Sequence, residues 1–233
     1  MSPHSPPFLV ITGAHGVGKT TVLAACNDWF VAKGIAVTPF HHIAVGAPGK
    51  ATPNGHETET AAAAPARRGV WGKLVPTPLK LIVVTVLDEL RYIHGITRIL
   101  RRAAAEQRVA IADRYVYDRL VALRLRGRPP IQRAAVRITC SLLRHPTLTI
   151  LLTDRPDAIH ARKQEMTVDE IRRYHDELVT LCQELGIPFI EVPVAGRDPD
   201  MLAADIGQRI LETLGKRGFT RADAVTPRLP LVE

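Results

Sequence analysis

Short apolar runs alternate with longer amphipathic stretches along most of this chain. The runs have the length and the β-branched content of buried strands, whereas the stretches between them repeat apolar residues at helical spacing. Strands are predicted at 8–12, 35–40, 109–112, 147–152 and 188–192. Because strands that alternate with helices form parallel sheets covered on both faces, the pattern predicts an α/β fold with a five-stranded parallel sheet.

Helices are expected in the intervals between these strands. The periodic segments are 19–32, 78–105, 117–126, 131–145, 156–165 and 167–185, and a last helix runs from Pro199 to about Lys216 with Asp198 as its cap. Thr167 and Glu170 fit a T-x-x-E capping box, so a helix restarts there after a very short joint.

The length and composition favour one domain that covers 1–233. With 233 residues, 46% of them hydrophobic, the chain can bury one sizeable core. The segment 46–72 is too rich in Gly, Pro, Ala and Thr to pack as an element, and we expect a mobile loop over the site there. Residues 218–233 are expected to form a loosely packed tail.

The charge and the apolar segments narrow the classes of partner, and the cysteines indicate the compartment. The formal charge is +8, but Lys and Arg are spread along the chain without interleaved aromatic residues, which argues against nucleic acid as a partner. The most apolar segment, 79–87, contains Lys80 and is far shorter than the ~20 residues of a membrane-spanning helix. We therefore expect no membrane partner. Three separated cysteines and a start without a signal-peptide pattern favour a cytoplasmic protein.

The first predicted strand leads into a glycine-rich stretch, ITGAHGVGKTT. The spacing of Gly13, Gly18, Lys19 and Thr20 fits G-x-x-x-x-G-K-[ST], a loop whose backbone N–H groups surround phosphate at the start of a helix. Lys19 adds a charge at the β and γ phosphates, and Thr20 offers a hydroxyl to Mg²⁺. The residues predicted to bind the phosphates of a nucleotide are Gly13, Ala14, His15, Gly16, Val17, Gly18, Lys19, Thr20 and Thr21.

Two further groups of polar residues follow predicted strands. Asp113 and Arg114 come directly after the third strand, where an Asp can hold Mg²⁺ beside the loop and an Arg can bind phosphate. Arg162 and Lys163 precede the joint at Thr167, where they can act as a lid that closes cations over a transferring phosphoryl group. Together with the loop, these residues predict a three-layer P-loop NTPase fold with a short helical lid.

Four motifs in the chain carry a family resemblance. GAHGVGKTT, ADRYVYD, LLTDRPDAIHARK and YHDELVTL occur in the order and approximate spacing of the thymidylate kinases and the broader thymidylate kinase-like group, which the chain resembles from about Phe8 to its last helix. The Asp-Arg-Tyr motif, joined to a lid that begins at Pro156 and Arg162, is the most specific part of the resemblance. It implies a kinase that uses ATP and Mg²⁺ to phosphorylate a nucleotide.

The resemblance also implies a role for individual residues. Lys19 and Thr20 would bind ATP phosphates and Mg²⁺, and Asp113 would organise the metal and the acceptor. Arg114 would bind the acceptor phosphate, and Arg162 would lie at the lid near the donor adenine and phosphates. Lys19, Asp113, Arg114 and Arg162 are thus the expected catalytic residues.

Other residues are expected on the acceptor side. Arg91 falls close to an arginine that faces the acceptor in the family, and Tyr115 and Asp118 are further expected contacts. The alternatives are core packing for Tyr115 and helix capping for Asp118. His41 and His42 are interpreted as structural, although one of them could line the acceptor pocket. Related kinases often pair through helices, so the apolar helix after residue 78 is expected either in the core or in a homodimer interface.

Two departures from the family lie in the acceptor half. His15 stands where the family typically has an acidic residue that contacts the acceptor sugar, and 47–50 only faintly matches the family's Arg-Glu-Pro-Gly-Gly-Thr segment. Three functions therefore stay open: a nucleoside monophosphate kinase, a kinase for a hydroxyl with Asp113 as base, and a non-catalytic ATP-binding module. Arg114 and the lid cations favour an acceptor that already carries phosphate. The identity of the acceptor's base is left open.

Overall fold

The computed structural model describes residues 6–41 and 77–215. Its elements in chain order are β1 Phe8–Thr12, α1 Lys19–Ala32, β2 Val37–His41, α2 Thr77–Ala105, β3 Val109–Asp113, α3 Val116–Leu125, α4 Pro130–Leu142, β4 Leu148–Thr153, α5 Pro156–Arg162, α6 Val168–Glu184, β5 Phe189–Pro193 and α7 Pro199–Gly215. The predicted mobile loop at 46–72 and the predicted tail at 218–233 lie outside the described residues.

The five strands form one parallel sheet in the order β2-β3-β1-β4-β5. This confirms the predicted five-stranded parallel sheet. The central strands β1 and β3 are buried at every position, as strands covered on both faces must be. The prediction ended the third strand at residue 112, but β3 continues to Asp113, because Asp113 still pairs in register with Ile11 and with His41. The apolar pattern stops one residue before the strand does, because the last residue of the strand is charged.

Helices cover both faces of the sheet. α1 packs against α7, α3 packs against α4 and α6, α2 packs against α4, and α5 packs against α6. Right-handed crossovers place α1 on one face and the helices between β2 and β5 on the other, which gives a three-layer α/β fold. The contact of α1 with α7 is close, since a Cβ on Gly207 would lie 2.4 Å from the Trp29 ring.

The joint between α5 and α6 is longer than predicted. α5 ends at Arg162 rather than at 165, and α6 begins at Val168. The predicted capping box is confirmed: the Glu170 N–H donates to Thr167 Oγ1 at 3.2 Å, and the Thr167 N–H donates to Glu170 Oε2 at 2.7 Å. The cap therefore fixes where α6 starts and leaves residues between Arg162 and Thr167 to form the joint.

The first half of α2 is apolar but not buried. Its exposed side chains, with 40% to 56% of their surface accessible, are Ile82, Val83, Val84, Val86, Leu87 and Leu90. Further along the same helix, Glu89 is buried, and its carboxylate accepts hydrogen bonds from Arg119 and, at 2.8 Å, from Thr139. Within the described residues, no helix has both the length and the apolar character to cross a membrane.

Candidate functional site

The glycine-rich loop connects the end of β1 to the start of α1 at the carboxyl edge of the sheet. Gly13 has a φ of 147°, and a Cβ there would lie 2.6 Å from the Leu152 carbonyl oxygen, so only glycine fits against β4. Val17 is 1% exposed and anchors the far side of the loop in the core. α1 begins at Lys19, so the loop lies at the positive end of a helix dipole, where an anion is favoured.

Lys19 is a buried lysine that forms no ion pair with a carboxylate of residues 6–41 and 77–215. Its side chain is 8% exposed, and its ammonium donates hydrogen bonds to the carbonyl oxygens of Gly13 at 3.0 Å and Ala14 at 2.7 Å. Burial lowers the pKa of Lys19 to about 7, and the positive charge of Arg114 acts in the same direction. Asp113 and Asp118 act in the opposite direction. An anion bound at the loop would restore the charged form of Lys19.

Asp113 and Arg114 lie beside the loop, as predicted from their position after the third strand. β3 neighbours β1, and the Arg114 N–H donates to the Ile11 carbonyl at 2.9 Å. Arg114 has a φ of 65°, a left-handed conformation that side-chain-bearing residues rarely adopt and that is often found at functional sites. Asp113 pairs in register with Ile11, and the loop that follows β1 leads to Lys19 at the start of α1, so the three residues lie at the same edge of the sheet. The charges of Asp113 and Arg114 both influence the pKa of Lys19.

The Asp113 carboxylate has an oxygen suited to a metal ion. Oδ2 lies 3.5 Å from His41 Nε2, whereas the buried Oδ1 has no hydrogen-bond partner among the described residues. Thr20, in the first turn of α1, supplies an exposed hydroxyl nearby in sequence to Lys19. Within residues 6–41 and 77–215, no group of three or more His, Cys, Asp and Glu could hold a metal. The Asp113 carboxylate and the Thr20 hydroxyl together fit Mg²⁺, which usually takes only one or two protein ligands and completes its shell with phosphates and water.

Arg162 lies against the loop. One guanidinium nitrogen pairs with the Asp154 carboxylate, and Nη1 lies 3.5 Å from the Gly16 carbonyl oxygen. The Asp154 side chain is only 1% exposed, so it fixes Arg162 firmly. Asp154 was not among the predicted site residues, although its position directly after the fourth strand is the same signal that identified Asp113.

His15 faces the joint between α5 and α6. Its Nδ1 lies 3.2 Å from Glu165 Oε2, and Lys163 Nζ lies 2.7 Å from Glu165 Oε1. Burial lowers the pKa of His15 to about 4, with Arg114 and Lys19 acting in the same direction. His15 is therefore neutral at pH 7. The sequence analysis did not identify Glu165, because nothing in the local pattern shows that it meets the loop.

Asp118 and Tyr115 are packed inside the protein. The Asp118 carboxylate accepts hydrogen bonds from the Tyr115 N–H at 3.0 Å, from Thr12 Oγ1 at 2.5 Å and from the Tyr174 hydroxyl. It thus joins β1, α3 and α6, in line with the capping alternative. Tyr115 is 0% exposed, and its hydroxyl donates to the Arg144 carbonyl at 3.0 Å, in line with the core alternative.

Arg91 forms its ion pair in the described part of the chain with Asp88, not with a residue of the loop. Its side chain is 68% exposed on α2 and pairs with Asp88 at 3.3 Å. Nothing in the described part of the chain brings Arg91 together with Lys19 or Arg114.

A cavity of about 330 Å³ adjoins the start of the loop beneath α5 and α6. Ile159, Ile171 and Tyr174 form part of its wall. Two polar groups in its lining, His175 and Glu191, already pair with each other at 3.3 Å. This cavity is separate from the edge where Lys19 meets Asp113 and Arg114, none of which lines it.

No protein-family model matches the chain, and no curated protein matches it.

Proposed function

We propose that this chain is a P-loop nucleotide kinase of the thymidylate kinase type, which transfers the γ-phosphoryl group of ATP to a nucleoside monophosphate. One observation carries the proposal. Lys19, Asp113 and Arg114 lie at one edge of the sheet, beside a glycine-rich loop at the start of a helix. Phosphoryl transfer depends on positioning and on charges that stabilise the moving group, and this edge supplies both.

The donor half consists of the loop and the lid. The loop N–H groups and Lys19 would bind the β and γ phosphates of ATP, with Thr20 and Thr21 at the start of α1. Arg162 is held over Gly16 by Asp154 and would approach the donor phosphates from the lid side. Lys163 would add a second cation at the same place. These cations would balance the charge that spreads over the transferring group.

Asp113 and Thr20 would hold Mg²⁺ in this proposal. The buried Oδ1 of Asp113 has no partner among the described residues, and a carboxylate oxygen of this kind is a ligand that Mg²⁺ prefers. When bound, the ion would neutralise charge on the donor phosphates. His41 lies on the other oxygen of Asp113 and would keep the carboxylate oriented.

Arg114 distinguishes the two kinase alternatives. Its guanidinium makes no ion pair with a carboxylate in the described part of the chain, and its backbone is held in an unusual conformation beside the loop. A guanidinium without a carboxylate partner at this position suits an acceptor that already carries phosphate. The second candidate, a kinase for a hydroxyl, is favoured by the free Oδ1 of Asp113, which could accept the hydroxyl proton.

A coupled ADP-release assay with Mg²⁺ and ATP tests the proposal. The acceptors are dTMP, dUMP, the other nucleoside monophosphates and thymidine. We expect release above the acceptor-free background with at least one monophosphate. Release with thymidine alone would favour the hydroxyl kinase. Equal background with every acceptor would favour a non-catalytic ATP-binding module.

We further propose that two copies of the chain pair through α2 and α4. The exposed apolar side chains of α2 lie on a helix that packs against α4, and α4 exposes Ile138 at 60% and Leu142 at 66%. An apolar surface of this extent usually marks an interface. Light scattering should give a dimer for the native protein and a monomer for the variant V84E/L90E. The variant Met201→Glu, which changes an exposed apolar residue of α7, should stay dimeric. A monomeric native protein would contradict the pairing.

A cytoplasmic location also stays a proposal. It is supported by the three cysteines, Cys26, Cys140 and Cys182, which are buried free thiols. Burial raises the pKa of each thiol to about 12, so they are inert packing residues rather than reactive or metal-binding groups.

A further inference from the structure

The joint between α5 and α6 touches the phosphate loop directly. A Cβ on Gly16 would lie 2.9 Å from the Cβ of Lys163, and Arg162 Nη1 lies 3.5 Å from the Gly16 carbonyl oxygen. Gly16 has a φ of 85°, so both its conformation and its lack of a side chain are used at this contact. The middle of the loop and the joint therefore cannot separate without breaking specific contacts.

Glu165 places a carboxylate at this contact. Oε2 lies 3.2 Å from Nδ1 of His15 in the loop, and Oε1 lies 2.7 Å from Nζ of Lys163 in the joint. The hydrogen bond from Lys163 lowers the pKa of Glu165, and the charge of Arg114 lowers it further. Glu165 is thus an anion among the cations that the proposed kinase would use for phosphate.

A carboxylate and a phosphate group compete for the same partners. Both are anionic oxygen acceptors for ammonium, guanidinium and ring N–H donors, and two such anions repel each other when they share a site. A polyphosphate that reached over the loop towards Lys163 and Arg114 would meet Glu165 there. It would have to displace this carboxylate or bind against its repulsion.

We propose that Glu165 is an internal anion that competes with phosphate ligands for the loop and the lid. It lowers the affinity for every anion, and only a ligand with more negative charge than one carboxylate displaces it readily. Glu165 would thereby favour polyphosphates over singly charged anions. This inference rests on the proposed phosphate-binding function of the loop and adds a residue that sets its selectivity.

Isothermal titration calorimetry with inorganic tripolyphosphate tests the competition on the full chain. The proteins are the native form, Glu165→Gln and the control Asp169→Asn. The control also removes one negative charge, at Asp169 in the first turn of α6. Asp169 is 78% exposed and pairs only with Arg172 among the described residues. We expect Glu165→Gln to bind about three- to tenfold more tightly than the native protein, because the ion pair with Lys163 and the charged acceptor of the His15 contact no longer have to be displaced. The control should change affinity less than about twofold.

Tryptic cleavage after Arg162 and Lys163 gives a second readout that needs no ligand. If Glu165 holds the joint on the loop, cleavage at these two sites is faster in Glu165→Gln than in the native protein or in Asp169→Asn. Equal cleavage in all three proteins would show that Glu165 does not hold the joint on the loop. Unchanged or weaker tripolyphosphate binding by Glu165→Gln would refute the competition. If none of the three proteins bound tripolyphosphate, the proposed function of the loop would fail together with this inference. Binding by the native protein without tightening in Glu165→Gln overturns this inference alone.

Discussion

The two sides of the glycine-rich loop differ in how their polar groups are paired. On the lid side, Arg162 pairs with Asp154, and His15 and Lys163 share Glu165. On the side of β3, the Oδ1 atom of Asp113 and the guanidinium of Arg114 have no such partner among the described residues. The lid side is closed by contacts within the protein, whereas the other side presents groups that a ligand would complete.

This difference suggests where binding must break contacts and where it only makes them. A ligand on the lid side would replace existing ion pairs, so its gain in free energy is the difference between two sets of contacts. A ligand on the β3 side would supply a partner to the buried Oδ1 of Asp113 and to the partly buried Arg114 without breaking an ion pair of Arg114 within the described residues. Buried polar groups without partners are costly and are commonly found at functional sites. The charge of Lys19 interacts with Asp113 and Arg114 on the β3 side and with Lys163 on the lid side.

The largest effect is expected from Lys19→Ala, which removes the charge common to both sides. We expect turnover of the proposed reaction to fall by about a factor of 10² to 10³ or more, because this charge follows the transferring group. The thermal unfolding midpoint should fall little, since burial already disfavours the charged form of Lys19 in the folded protein. ADP release and thermal unfolding measured on the same preparation separate the two effects. The exposed Lys33, at the end of α1, gives a control in Lys33→Ala. A variant with unaltered turnover would remove Lys19 from the mechanism.

Arg114→Ala sharpens the comparison on the β3 side. Loss of a guanidinium that binds an acceptor phosphate should raise the KM for the acceptor by about 10- to 100-fold and change the KM for ATP little, because a charged hydrogen bond contributes about 1.5–3 kcal/mol. Arg102→Ala is the matched control, since Arg102 is 79% exposed on α2 and pairs with Glu106. Initial rates with each substrate varied in turn would measure both constants. Equal effects on the two substrates would show that the site is not divided in this way.

The smallest expected effect is the dependence of folding stability on pH that His15 causes on the lid side. The pKa of His15 is about 4 in the folded protein and near its ordinary value of 6.5 when unfolded, so the unfolded state binds more protons as the pH falls through this range. The stability contributed by neutral His15 is complete above pH 6.5 and is lost as the pH falls towards 4. Between pH 7 and pH 5 the native protein should lose about 1–2 kcal/mol more stability than His15→Gln.

Urea unfolding at both pH values measures this difference. His94→Gln, which changes an exposed histidine of α2, should behave like the native protein. An equal loss in the native protein and in His15→Gln would mean that His15 is not desolvated at the contact with the joint.

Local patterns predicted the parts of the fold that depend on local physics. The five-stranded parallel sheet and the capping box of Thr167 and Glu170 follow from periodicity and from short-range hydrogen bonds, and both are observed. The pattern also placed Asp113 and Arg114 at the edge that carries the loop, because carboxyl ends of parallel strands share one edge. The neighbouring position of β1 and β3 in the sheet brings these residues beside Lys19.

Contacts between residues distant in sequence were not predictable in the same way. His15 and Glu165 meet only because α5 and α6 fold back over the loop, and neither has a local signal for the other. The interpretation of Asp118 could not include Tyr174, since that bond depends on how α6 packs against α3. In α2, apolar residues lie on too many sides for periodicity to show which face is buried, so the exposure of Arg91 and Leu90 required the structure.

The transfer of label from ATP labelled in its γ-phosphoryl group tests the central claim most directly. The native protein and Lys19→Ala would each be mixed with Mg²⁺, labelled ATP and the nucleoside monophosphate that gives the highest ADP release. The account predicts that label appears in a nucleoside diphosphate with the native protein and that this product is lost with Lys19→Ala. Label that stays in ATP, or that appears only as inorganic phosphate whatever acceptor is present, would contradict it.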